Sequence, residues 1–173
     1  MMRARLARVP SARPEQVAQG SVLELPFDEA SFDHVVSIGC LHHTGDLFGA
    51  VAECRRVLRP GGRLVLMVYN RRSARRVLLG ADRTASLVPG APSAEETLRY
   101  FYDGHADGDV APHTDFVSVA ELRGLLSGFR DVRIERRSID RVPLGPIEVS
   151  RRRLMRLRLD RLVGLDLYAV GYR

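Results

Sequence analysis

Two adjacent imidazoles, His42 and His43, and an aspartate, Asp46, stand in the stretch "GCLHHTGD". Imidazole titrates near neutrality, so such a pair can take a proton from a reacting group or orient one. Further polar and aromatic candidates follow: Tyr69 and Asn70 close "RLVLMVYN", Tyr100 and Tyr102 lie in "LRYFYDG", and His113 lies in "APHTDF". His42 and His43 are candidate catalytic residues; Tyr69, Asn70, Tyr100 and His113 are candidate substrate contacts. Each has a plainer reading beside it. Either histidine can be a hydrogen-bonded loop residue, Asn70 can serve a turn, and the 100–113 aromatics can pack a lid. Asp46 reads as a helix cap and Asp33 as a turn residue. Cys40 and Cys54 have no metal-ligand spacing and read as reduced core thiols, so no metal site is expected.

These residues need elements to hold them. "FDHVVSIGC" (32–40) is apolar and β-branched almost without alternation, the habit of a strand covered on both faces in a parallel sheet. From Asp46 to Leu58 the apolar residues Leu47, Ala50, Val51, Cys54, Val57 and Leu58 repeat at helical spacing, with Asp46 as N-cap. "RPGG" (59–62) ends that helix, and "RLVLMVY" (63–69) is a second buried strand. A strand–helix–strand unit of this length is a βαβ crossover, so the class is α/β. Upstream, Val17 and Ala18 suggest a short strand stopping at Gly20, and residues 1–14 a remnant or disordered tail.

The second half is less regular. Ser93 with Glu96, and Ser118 with Glu121, stand in capping-box register before helical stretches at 93–104 and 118–129. "HADGDVAPH" (105–113) is a polar loop. "DVRIERRSI" (131–139) alternates as a half-exposed edge strand does, and "LDLYAVGYR" (165–173) reads as a closing strand. Between them "RRRLMRLRLDR" (151–161) has leucines at helical spacing and a cationic face. The two late strands can pair antiparallel, giving a mixed sheet.

Composition bounds the rest. The 27 basic residues are all arginine, and the formal net charge is +6. That balance suits an anionic partner, yet no nucleic-acid-binding signature accompanies it. No apolar run approaches the ~20 residues of a membrane span, and no signal peptide precedes the domain. The expected compartment is the cytoplasm.

"LPFDEASFDHVVSIGCLHH" followed by "AECRRVLRPGGRLVLMVYN" closely resembles the class I S-adenosylmethionine (SAM)-dependent methyltransferases of the small-molecule, type 11 kind. "HTDFVSVAELRGLLSGFRDVRI" and "DLYAVGYR" are similar to that family's late helix, strand and closing antiparallel strand. The resemblance covers about 15–173. It implies a Rossmann-like mixed sheet in the order 3-2-1-4-5-7-6, with SAM across the carboxyl ends of the strands at the topological switch point. It implies that Ser21, Val22, Gly39 and Leu41 border the cofactor. Ser21 stands where the family usually has an aspartate. Glu53 and Arg56 also match the family pattern and read as scaffold ion pairing.

The family's opening strand, glycine-rich loop and acidic second-strand end are not found in positions 1–20. The expectation is therefore an N-terminally truncated domain over 15–173, with lid or insertion segments around 71–117 and 140–163. Strand 33–40 should then present a bare apolar edge able to pair with another chain. The activity expected is methyl transfer from SAM to a small-molecule acceptor, or a weak remnant of it. Methylation of a tRNA or other nucleic-acid base, and a non-catalytic interaction module, are the alternatives.

Overall fold

The computed structural model describes residues 17–79, 102, 112–140, 142–144 and 147–173. Tyr100, the tail at 1–14 and most of the segments expected at 93–104 and 105–113 lie outside the described residues.

Strand β1 (Phe32–Ile38) runs to a 3₁₀ turn (Leu41–His43), helix α1 (Leu47–Val57) and strand β2 (Leu58–Asn70). β1 and β2 are parallel, from Val35 opposite Leu64 to Ile38 opposite Met67. Helix α1 starts where Asp46 accepts a hydrogen bond from the Gly49 amide at 2.8 Å, the cap its sequence calls for. It buries Leu47, Ala50, Val51, Cys54 and Val57 on one face. β2 is longer than expected, because "RPGG" continues the strand rather than forming only a turn. Leu58 pairs with Phe32 across an irregular register, and Gly61 and Gly62 are bonded through their main chain to Arg173. Gly62 must be glycine there: a Cβ would lie 2.8 Å from the Arg59 carbonyl oxygen and 3.1 Å from that of Asp33.

Helix α2 (Ala74–Leu79) follows, then β3 (Phe116–Val117), α3 (Val119–Leu125) and β4 (Arg130–Arg137). α3 opens on the full capping box of Ser118 and Glu121. A small hairpin of β5 (Val142–Leu144) and β6 (Ile147–Val149) precedes helices α4 (Arg151–Arg156) and α5 (Asp160–Val163) and the last strand, β7 (Asp166–Tyr172). The arginine-rich stretch is two short helices, not one. Arg158 adopts a left-handed φ of 55° between them, which ends the first.

The main sheet has the order β1-β2-β7-β4, with β3 paired to the end of β2. β7 is antiparallel to both neighbours. This is the 4-5-7-6 half of the order the resemblance implied, and the fold is the mixed α/β sheet of that family. One face carries Leu64, Leu66, Val68, Leu167 and Ala169, packed beneath α1 and α3 through Leu47, Ala50, Val51, Cys54, Leu122, Leu126 and Phe129. Each of the leucines, valines and the phenylalanine so buried contributes about 1.5–3 kcal/mol.

Three expectations are corrected. Residues 17–20 form no strand; among the described residues the pairing found nearby is an isolated bridge between Ser21 and Glu24. β1 is not covered on both faces: Val36 is 65% and Ile38 47% exposed. Cys40 is exposed, whereas Cys54 is buried.

Candidate functional site

β1 and β2 end side by side, and the chain leaves β1 through Gly39. Its φ of +69° belongs to the left-handed region, while its amide still donates to the Met67 carbonyl at 3.3 Å. That turn tips Leu41 into the core, 1% exposed, and starts the 3₁₀ turn holding both histidines. The Leu41 carbonyl accepts the Thr44 amide at 3.3 Å and its hydroxyl at 2.8 Å, closing the corner.

His42 is wholly buried, with its ring centroid 4.2 Å from that of Tyr69 and 4.1 Å from that of His43. Among the described residues neither of its ring nitrogens has a hydrogen-bond partner. Burial pushes its pKa down to about 3; the neighbouring His43 charge adds to that, and Asp115 opposes it. The ring is neutral at pH 7. His43 is held differently. Its Nδ1 lies 2.9 Å from the His113 carbonyl oxygen and 3.2 Å from the Thr114 hydroxyl. A carbonyl can only accept, so Nδ1 carries the proton and Nε2 the lone pair of the neutral ring. The Asp115 amide donates to the His42 carbonyl at 2.7 Å, and His113 Nε2 lies 3.0 Å from Asp115 Oδ1. "HTDF" thus laces the histidine corner to β3.

Tyr69 stands at the centre of an aromatic cluster. Tyr102 lies 5.0 Å from it, Phe116 5.9 Å in a stacked arrangement, and Tyr102 meets Phe116 edge-on at 4.9 Å. The Tyr102 hydroxyl bonds the buried Ser73 hydroxyl at 2.8 Å, and burial raises its pKa. Arg75 lies 4.9 Å over the Tyr102 ring, Arg76 4.6 Å over Phe116, and Arg75 also pairs with Asp140.

The other sequence candidates are placed as follows. Asn70 is fully buried: its amide donates to the Gly164 carbonyl at 2.7 Å, and its side-chain oxygen accepts from the Arg72 amide at 3.0 Å. Its polar atoms are spent on the turn that leaves β2. Ser21 accepts the Leu23 amide at 3.2 Å, and Val22 packs against the core cluster. Glu53 and Arg56 clamp the "LPF" segment to α1. Glu53 accepts the Leu25 amide at 3.1 Å, and Arg56 donates to the Leu25 and Phe27 carbonyls. Asp33 bonds Arg59 at the strand's entry, at the opposite end of β1 from the corner and exposed to solvent. Burial raises the Cys54 thiol to about 11, so it is an inert core group. Among the described residues no cluster of His, Cys, Asp and Glu could hold a metal, and no helix is long and apolar enough to cross a membrane.

The sequence reading missed Ser73, Thr114, Asp115 and Phe116. A signal existed for the last three, since "HTDF" precedes a helix with a full capping box and so ends an element that must return to the sheet.

Comparison with known proteins bears on the family resemblance and the fold. Residues 1–66 match a family model described as "Methyltransferase domain" (type 11). A 27-O-demethylrifamycin SV methyltransferase of Amycolatopsis mediterranei is 50% identical over 44 residues, 25% of this chain and 16% of that protein. A demethylmenaquinone methyltransferase of Tropheryma whipplei is 34% identical over 85 residues, 43% of this chain and 34% of that protein. The chain spans about a third or less of the curated relatives named here. Among solved structures, a SAM-dependent methyltransferase of Thermotoga maritima, described as a possible histamine N-methyltransferase, superposes with a TM-score of 0.55 at 18% identity. That match covers 88% of this chain and 61% of the other. One from Methanosarcina mazei gives 0.52 at 16%, covering 98% and 74%.

Proposed function

We propose that this chain, which by its residues 1–66 belongs to the methyltransferase domain family and shares the fold of the SAM-dependent enzymes, carries the acceptor side of a methyl-transfer site. The single observation that supports this most is the corner after β1. There a left-handed glycine, a neutral buried imidazole whose two nitrogens have no partner among the described residues, and a second imidazole of fixed tautomer meet at the carboxyl end of paired parallel strands.

SAM, the cofactor of the family, supplies a methyl already activated by its sulfonium. The protein then has to align an acceptor atom with it and, where the acceptor is protonated, remove a proton. His43 is the better base, because the His113 carbonyl fixes its lone pair on Nε2. His42, with its pKa near 3, is a poor base and a good neutral hydrogen-bonding group. Tyr69 orients the acceptor against both rings. Gly39 and the main chain of Leu41 border the cofactor, since the Leu41 side chain is committed to the core. Ser21 and Val22 hold the adenine side. The acceptor is a small molecule.

The test is a nuclear magnetic resonance titration with SAM and with its demethylated product. Shifts should centre on Gly39–His43 and Tyr69, with a dissociation constant weaker than micromolar for this chain alone. Shifts confined to other parts of the sheet, or none at millimolar ligand, would overturn the reading. A second reading, pairing with another chain, is favoured by one observation: Val36 and Ile38 lie bare on the free edge strand.

A further inference from the structure

Away from the histidine corner, the free edge of β4 borders a cavity of about 230 Å³ lined by Ile134, Glu135, Arg136, Arg137 and Arg161. Among the described residues three arginines and one glutamate border it, Arg136 leaving β4 on one face and Glu135 with Arg137 on the other. Like charges so gathered repel one another unless something anionic lies between them. Arg137 is paired with Glu135, which leaves Arg136 and Arg161 to account for.

Arg136 is the informative residue. Its Nε is buried, and among the described residues it has no hydrogen-bond partner. Buried donors of folded chains are nearly always satisfied, and a charged one leaves the most to gain from a partner. Strand register explains how it came to be there. Arg136 pairs with Leu167, so its side chain leaves the sheet on the face where Leu167 is in the core. At the strand's end α5 packs on β4 and brings Arg161 to the same opening. The cavity is therefore assembled from two elements far apart in sequence.

From these observations we infer that the cavity is an oxyanion site, taking the phosphate group of a small phosphorylated ligand. Guanidinium presents paired N–H donors that match phosphate oxygens, and Arg136 and Arg161 border one opening of suitable size. With Glu135 matched by Arg137, the two remaining arginines among the described lining residues fit a dianion. The site lies on the same rim as the proposed methyl-transfer corner, since Arg137 and Tyr69 both pair with Asp166 of β7. Two strand spacings put the Arg137 backbone about 10 Å from that of Tyr69. It does not depend on the methyl-transfer reading.

The probe is inorganic phosphate, titrated into the full chain at constant ionic strength with chloride as the balancing salt. Calorimetry follows binding, and the Arg136 Nε–H resonance follows place. Saturable one-to-one binding with movement of that resonance is expected. Arg136→Gln and Arg161→Gln should each weaken it about tenfold, and Glu135→Gln, which removes the carboxylate found in the lining among the described residues, should tighten it. Arg123→Gln, on the exposed side of α3, should change nothing. Should Arg136→Gln fail to fold, Arg161→Gln and Glu135→Gln change exposed side chains and still decide. A response that never saturates, or that falls equally in Arg123→Gln, would reduce the cavity to part of a generally cationic surface. Tight binding of a single-stranded RNA oligonucleotide without saturable phosphate binding would overturn the proposal in favour of a nucleic-acid surface.

Discussion

His42 shows how one residue can record its surroundings. In the unfolded chain its ring takes a proton near pH 6.5, while in the fold burial holds it neutral down to about pH 3. Below pH 6.5 the unfolded state therefore binds the extra proton and the folded state does not. Stability is fully present above that pH and falls as the solution is acidified toward pH 3. Between pH 6.5 and 4.5 the loss should be about 2 kcal/mol. Other groups act elsewhere. Glu53, held low by the Arg56 hydrogen bond, and Glu121, held low by the Ser118 amide, contribute losses only below their ordinary 4.5. Asp166, raised by burial, has the opposite sign: the fold takes up its proton above the ordinary 3.8, which offsets part of the loss as pH falls. Urea unfolding at pH 7, 5.5 and 4.5 should thus show a slope in the parent that is largely lost in His42→Phe. An unchanged slope in that variant would mean the ring is not the group that titrates. The two histidines were visible in the sequence as a pair, but not their division of labour. Adjacent residues of a 3₁₀ turn point different ways, and only the turn's attachment to 113–115 decides which ring is sealed and which is bonded.

At the scale of elements, local signals held where they rest on local physics. The caps at Asp46 and Ser118 are hydrogen bonds between residues three apart, so their spacing alone specifies them. Asp46→Ala and Ser118→Ala should each cost about 1 kcal/mol in chemical denaturation. The two losses should add, because the caps belong to separate helices. Gly39→Ala adds a different kind of strain. A Cβ there would meet only Met67 Cε, at 3.7 Å, so the cost is the left-handed backbone rather than space, about 1–2 kcal/mol. A loss no larger than for an ordinary surface substitution would count against a fixed turn at that corner. What the sequence concealed is non-local. The run of apolar residues in β1 reads as doubly covered, but coverage is supplied by other elements, and among the described residues none lies over Val36 and Ile38. The break at Arg158 was equally hidden, since leucine spacing continues through it. Val17 and Ala18 have strand-like composition, yet among the described residues they lie in no strand.

For the whole molecule the decisive feature is the end of the sheet. β1 is the edge strand, its main chain on one side has no partner strand among the described residues, and its outer face carries His34, Val36 and Ile38 beside Val65 and Met67 of β2. An edge of this length, apolar and without lysine or proline, is a template for another strand. Covering Val36 and Ile38 gains about 1–2 kcal/mol each, given how much of each is exposed. The net charge of +6 works against a second copy of the same chain. Sedimentation velocity should therefore show association that grows with protein concentration and, because salt screens that repulsion, grows again as salt is raised. Val36→Lys and Ile38→Lys should each suppress it by placing a charge on the pairing edge. The direction of the salt effect separates this contact from any cationic one. A contact made through arginines to phosphate weakens as salt rises, whereas pairing through an apolar strand edge between like-charged copies strengthens. Association that salt dissolves would remove the β1 edge as its cause and leave the arginine-bearing surfaces to explain it.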